Sequence, residues 1–407
     1  MQPSQSLALA DFPICDPDDD LLYDWAAEPP PPGQDRGDPP PRRLRLRRRT
    51  LLASVAVALD VALLPRFSGR APLRQTAEML AEDNADWESF KSRFILAEGR
   101  VVDTGNGGVS HSEGQGLGML FAVAYRDQET FESLAGWTAR TLRCRGDALH
   151  AWRYHPNQSA SVDDLNNATD GDLYIGAALA RAADRFGRDA YADTAAAIAR
   201  AVLDQLVREA GPRTILLPGS YGFERTDSFV VNPSYYAFAC LDALAALTPS
   251  DSWDRLRADG TRLIADSRFG RWRLPPDWLR IRRDDGTAAP APEWPARFSY
   301  DAIRVPLQLA WGGLSIPGLN SDLLAFWTEA EVGEVPVGVD LVSDVPLSNP
   351  GFTGARAIAA LILRAERGAG PLVLPSVADA PDYYSAALIL QTRLAWREMQ
   401  QKATINA

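Results

Sequence analysis

From about Gln75 to the C terminus, apolar residues recur three and four positions apart in one segment after another, and long alternating strands are nearly absent. The spacing predicts helices over 76–94, 116–125, 128–140, 173–185, 191–209, 233–246, 253–265, 303–310, 321–332, 354–367 and 383–402. Links between them are alternately short and long, so the helices arrive in pairs without a strict repeat. Two links, 213–229 and 266–300, are long, the first with Pro and Gly, the second with Pro and Trp. Loops of that length in a compact domain are usually functional. No internal linker divides the 75–407 span, which reads as one all-α domain with its long loops gathered at a working face.

The first 75 residues differ from the rest. Residues 1–41 form an acidic, Pro-rich tail, with nine acids against the single base Arg36 over 1–38 and seven prolines over 29–41. Such a stretch buries too little apolar surface to offset its ordering entropy, and disorder is expected. Residues 42–70 follow with six arginines between Arg42 and Arg49, then an apolar run from Leu51 to Leu64 broken by Ser54 and Asp60. A basic flank ahead of about 14 apolar residues matches an export signal, and falls short of the roughly 20 needed to span a bilayer. A basic linker with a short buried helix is the bland alternative. Export signals begin near the first residue, so this one implies a downstream start or a membrane-proximal anchor. We read it as export, to the periplasm or the medium.

The chemistry is bounded by what is scarce. Three histidines (His111, His150, His155) and three scattered cysteines build neither a zinc cage nor an HExxH helix, and no metal or cofactor is expected. No GxSxG elbow, Walker loop or GxGxxG motif is present. The formal net charge of −11 disfavours a nucleic-acid partner. Eleven Trp and eleven Tyr include rings that can stack on sugars, although most belong to a core.

Carboxylates remain, in three clusters. Ser110–Met119 holds Glu113 at a helix start; the bland reading makes Ser112 the cap, Gln115 its capping-box partner and Glu113 a complement to the macrodipole. Asn166–Asp172 holds Asp170 and Asp172, with Thr169 as the cap, and carries more polarity than a cap requires. Phe298–Pro306 holds Asp301 and Arg304, three apart, which on a helix surface would be an ion pair worth a few tenths of a kcal/mol. The apolar residues around them argue against full exposure. Paired carboxylates without metal ligands suit glycosidic hydrolysis, which needs a protonated acid at the leaving oxygen and an ionised carboxylate across the ring.

Taken in order, Glu-Gly-Arg-Val-Val-Asp (98–103), Ser-Glu-Gly-Gln-Gly (112–116), Ala-Thr-Asp-Gly-Asp (168–172), Asn-Pro-Ser-Tyr (232–235) and Tyr-Asp-Ala-Ile-Arg-Val (300–305) resemble glycoside hydrolase family 8. Leu-Leu-Pro-Gly (216–219), Tyr-Gly-Phe (221–223) and Pro-Pro-Asp-Trp (275–278) make the chain most similar to the endoglucanases associated with bacterial cellulose synthase. The resemblance implies an (α/α)6 barrel and inverting hydrolysis of a β-1,4-glucan. It implies Glu113 as general acid, Asp301 as general base and Asp170 as a third acid binding a distorted sugar. Arg304, Trp152, Tyr300, Asp172 and Tyr235 fall among its substrate-binding positions. A monomer acting on β-glucan, in company with the cellulose synthase machinery, is expected. A chitosanase, a xylan-active relative or a non-catalytic glucan-handling scaffold are the alternatives.

Overall fold

Eleven α-helices form among the residues that the computed structural model describes, which are 71–329, 335–347, 353–368 and 372–405. They are α1 (Ala71–Phe94), α2 (Ser112–Ala124), α3 (Gln128–Thr141), α4 (Thr169–Phe186), α5 (Asp189–Leu206), α6 (Phe238–Leu247), α7 (Asp251–Asp266), α8 (Val305–Trp311), α9 (Leu319–Glu329), α10 (Thr353–Arg367) and α11 (Tyr383–Ile405). Each lies where the apolar spacing calls for one. The acidic tail and the basic, apolar segment over 1–70 lie outside the described residues, as do 330–334 at the end of the ninth expected helix.

The helices pack as an (α/α)6 barrel. α2 lies against α4, α4 against α6, α6 against α8, α8 against both α10 and α11, α10 against α11, and α11 back against α2, so the circuit of helices closes. α3, α5 and α7 back α2, α4 and α6, α1 backs α11, and α9 and α10 complete the wall beside α8 and α11. Place in the ring explains the sequence of each helix. Inner α4 is buried without interruption from Thr169 to Ala180, and after the two buried acids of its first turn it is largely apolar or small on every side. α10 keeps a polar stripe instead, burying Ile358, Leu361 and Ile362 while Arg356 and Arg367 stay exposed. Trp87, Phe90 and Phe94 of α1 meet Phe121 of α2 and Tyr383 of α11, with ring centroids 5.6 to 6.5 Å apart. Each such ring contributes on the order of 1.5–3 kcal/mol by burial.

Short strands organise the long connections. β1 (Ser110–His111) pairs with β2 (Arg153–Tyr154), and β3 (Val207–Ala210) forms a hairpin with β4 (Arg213–Leu216). β5 (Ser228–Val231), β6 (Leu279–Arg282) and β7 (Ala288–Pro290) form an antiparallel sheet, with Val230 opposite Arg280 and Arg280 opposite Ala289. β8 (Arg297–Phe298) pairs with β9 (Val339–Asp340). The helix expected to reach residue 209 stops at Leu206, and Glu209 pairs with Thr214. β-branched Val207 and the Gly211-Pro212 turn, with Gly211 at φ +55°, favour a hairpin there. The segment expected to be helical from 233 opens instead as a 3₁₀ turn, Pro233–Tyr235, before α6. β1 runs straight into α2 and β8 into Ser299–Arg304, so two of the carboxylate clusters are anchored by ladders just upstream.

Candidate active site

Glu113 stands in the first turn of α2, whose N-cap is His111: the ring Nδ1 accepts the Gly114 N–H at 3.0 Å. The expected Ser112 cap and Gln115 capping box do not form. Ser112 lies inside the helix, buried, and the Gln115 side chain accepts the Val101 N–H at 2.6 Å and donates to Gly99 O at 3.1 Å and Thr138 Oγ1 at 2.9 Å. Gln115 thus staples α2 to the preceding turn and to α3. Asp170 stands in the first turn of α4, which has no side-chain cap, because Thr169 Oγ1 donates to Leu217 O at 2.7 Å instead. Two glycines set the distance between the helices. A Cβ on Gly171 would lie 2.1 Å from Ser112 Oγ and 2.7 Å from Glu113 N, and one on Gly116 would lie 2.6 Å from Tyr174 Cβ. Only a bare backbone lets the starts of α2 and α4 touch, and that contact brings Glu113 beside Asp170.

Asp301 arrives from the other side of the barrel, at the head of the 3₁₀ turn Ala302–Arg304 that precedes α8. Arg304 joins the three acids. One guanidinium nitrogen donates to Glu113 Oε1 and, at 3.3 Å, to Asp170 Oδ2; the other donates to Asp301 Oδ1 at 2.7 Å and to Ser234 Oγ at 3.0 Å. The Asp301–Arg304 pair is no surface ion pair, since Arg304 is 4% exposed. The side chains of Glu113 and Asp301 keep 22% and 29% exposure against 2% for Asp170. Two carboxylates therefore reach the opening and the third lies beneath them.

One cation among three acids leaves an excess of negative charge in a dry site. Burial, with the Glu113 charge next, pushes the Asp170 carboxyl up to about 7 despite Arg304. Burial also raises Asp301, opposed by Arg304 and reinforced by Glu113. Tyr235 has its hydroxyl pushed well up by burial, and its ring centroid lies 5.8 Å from the Arg304 guanidinium.

The remaining sequence candidates are distributed around this cluster. Tyr300 is 44% exposed beside Asp301, and its carbonyl accepts from the Tyr384 hydroxyl. Trp152 is half-buried; its carbonyl accepts the Ser112 N–H at 2.9 Å, its Nε1 donates to Asp164 at 2.7 Å, and Arg153 lies 4.3 Å from its ring centroid. Asp172 does not join the cluster. It is fully buried, with Oδ1 accepting the His150 N–H at 2.9 Å and lying 2.8 Å from His150 Nδ1, and Oδ2 accepting from Asn167 at 3.0 Å. Asn167 Oδ1 accepts from Ser220 N and Oγ, both at 2.8 Å, and Asn166 bonds Tyr221. The polarity of 166–172 beyond what a cap requires ties two loops to the start of α4.

Several residues at the site carry no role in the sequence reading. Trp278 and Trp294 stack at 4.8 Å, Phe223 lies parallel to Trp278 at 5.9 Å, and Tyr235 closes the row at 6.3 Å from Trp278. Ser234 holds Arg304. Trp278 sits in the Pro-Pro-Asp-Trp motif and Ser234 in Asn-Pro-Ser-Tyr, so the signal was present without a role attached.

The model of glycosyl hydrolases family 8 matches residues 73–398. The chain is similar to a probable endoglucanase of Novacetimonas hansenii, at 42% identity over 315 residues covering 77% of this chain and 90% of that one. It is also similar to an endoglucanase of Cellulomonas uda, at 41% identity over 68% of this chain and 71% of that one. Among solved structures, the endo-β-1,4-glucanase CMCax from Acetobacter xylinum superposes with a TM-score of 0.74 at 42% identity, covering 78% of this chain and 99% of that one. A match that runs from the first described helix into the last, over a barrel that assembles the expected acids, means that this chain belongs to glycosyl hydrolases family 8.

Proposed function

We propose that this chain is an endo-β-1,4-glucanase that hydrolyses glucan chains with inversion at the anomeric carbon. The observation that carries the reading is the single buried guanidinium of Arg304, to which Glu113, Asp170 and Asp301 are all hydrogen-bonded. A scaffold that only holds glucan has no use for three acids converging on one cation. Glu113, partly open to solvent, donates its proton to the glycosidic oxygen as that bond breaks. Asp301, on the other side of the guanidinium, takes a proton from the water whose oxygen bonds to the anomeric carbon from the opposite face. Arg304 spans the two carboxylates and holds them apart, which leaves room for that water. Asp170, beneath them, binds the hydroxyls of the sugar whose ring is distorted. Tyr235, Tyr300, Trp152 and the Trp278–Trp294 stack line the approach for neighbouring sugars. Asp172 acts at one remove, by fixing the start of α4 through His150 and Asn167.

Endoglucanase names among relatives above 40% identity support β-1,4-glucan over chitosan or xylan as substrate. Work on nascent cellulose beside the synthase, after export directed by residues 42–70, completes the proposal. Reducing-sugar release from carboxymethylcellulose, chitosan and xylan, assayed in parallel, tests it. Carboxymethylcellulose should be the best substrate, and Glu113→Gln and Asp301→Asn should each lose at least ~10²-fold in turnover, the low end for general acid–base catalysis. Faster release from chitosan or xylan would reassign the substrate, and near-normal rates in Asp301→Asn would remove it as the base.

A further inference from the structure

The turn that presents Asp301 is not held by Asp301. That residue heads the 3₁₀ turn Ala302–Arg304 without making a capping bond with its own side chain, so its carboxylate is left to face Arg304. The capping acceptors come from elsewhere in the chain. Asp277, just before β6, accepts the Ser299 N–H at 2.9 Å and the Ala302 N–H at 2.7 Å on Oδ1, and the Ser299 hydroxyl at 2.5 Å on Oδ2. Its own N–H donates to Arg297 O at 2.7 Å, which ties it to β8. Asp277 is 8% exposed, and no water replaces an acceptor at that depth without cost. The same segment is clamped on its other sides. The Tyr384 hydroxyl donates to Tyr300 O, and a Cβ on Gly338 beside β9 would lie 2.3 Å from Phe298 O.

We propose that Asp277 is a positioning residue for the hydrolysis: its buried carboxylate fixes the Ser299–Ala302 turn and thereby aims Asp301 at the attacking water. The inference rests on reading Asp301 as the base. The titratable groups that face Asp277 are Asp301 and, from α11, Tyr384. Burial, with the Asp301 charge next, pushes the Asp277 carboxyl up to about 7. Near neutrality the turn therefore uses its acceptor oxygens rather than a full negative charge, and an amide can take its place. Because Trp278 follows Asp277 directly and stacks on Trp294, the same backbone also sets the aromatic row against the base.

The test compares Asp277→Ala, Asp277→Asn and Asp277→Glu on carboxymethylcellulose, with melting temperature read for each and Asp301→Asn run alongside. Asp277→Ala should lose about 10²-fold in kcat, the scale for a misplacement of about 1 Å, with KM little changed. Asp277→Asn should restore most of the loss, since its Oδ1 still accepts both backbone N–H groups. Asp277→Glu keeps the carboxyl group but displaces the acceptor, and should behave like the alanine variant. Wild-type kcat in Asp277→Ala, or kcat and KM worsening together in step with a lowered melting temperature, would overturn the proposal. If Asp277→Ala does not fold, the remaining pair decides: an active Glu variant beside an inactive Asn variant would mean that charge, not placement, is what matters. Full activity in Asp301→Asn would instead overturn the assignment of the base, whatever the Asp277 variants do.

Discussion

Arg304 is one cation serving three carboxylates, and the imbalance has a consequence that can be measured without substrate. Asp170 has its carboxyl raised to about 7 by burial first and by Glu113 next, against about 4 in an unfolded chain. Between those values the native state binds more protons than the unfolded one, so the slope of stability against pH from this group is negative. Its stability contribution is fully present below about pH 4 and is lost as pH rises through about 7. Asp170→Asn removes the group that ionises. Melting temperatures taken from pH 4 to pH 8 should show the Asn variant gaining on the wild type as pH rises; a constant difference would mean that Asp170 titrates normally.

At the level of elements, the site depends on how closely α2 and α4 meet. Gly171→Ala would raise helix propensity by up to about 1 kcal/mol. Against this stands a Cβ 2.7 Å from the backbone nitrogen of Glu113, a group that cannot rotate away as Ser112 Oγ can. Overpacking of that kind costs about 1–3 kcal/mol, so the clash wins. Gly171→Ala should melt lower, and its kcat should fall because Glu113 and Asp170 are pushed apart; an unchanged melting temperature would contradict the tight crossing. The helices themselves were legible in the sequence because ring position leaves a period, or in α4 an unbroken small and apolar run. The caps were not. Ser112 and Thr169 have the right chemistry for capping, yet His111, paired with Arg153 in the β1–β2 ladder, took the first position and Leu217 O took the Thr169 hydroxyl, and both outcomes involve neighbours far apart in sequence. Glu113, Asp170 and Asp301 could be picked out by motif, whereas Asp277 could not be given a role until the fold set it under Ser299 and Ala302.

Over the whole molecule, every described helix of the barrel and every residue of the Arg304 cluster lies after residue 70. Deleting residues 1–70 should leave carboxymethylcellulose hydrolysis unchanged, and protein recovered from its host should begin near residues 65–80, outside the cytoplasm. Loss of activity on truncation, or an intact acidic tail on cytoplasmic protein, would contradict the export reading. Among the described residues no helix is long and apolar enough to cross a membrane. Within the barrel, α2, α4 and the turn before α8 bring three acids from distant stretches of chain onto one guanidinium. Inversion is the chemistry implied by the family, and it requires acid and base about 6.5–9.5 Å apart across the sugar rather than the roughly 5–5.5 Å of a retaining pair. Proton NMR of the first-formed product from a β-1,4-linked cello-oligosaccharide, recorded before mutarotation, tests this most directly. The α-anomer is predicted; a first-formed β-anomer would contradict the pairing of Glu113 with Asp301 across an attacking water.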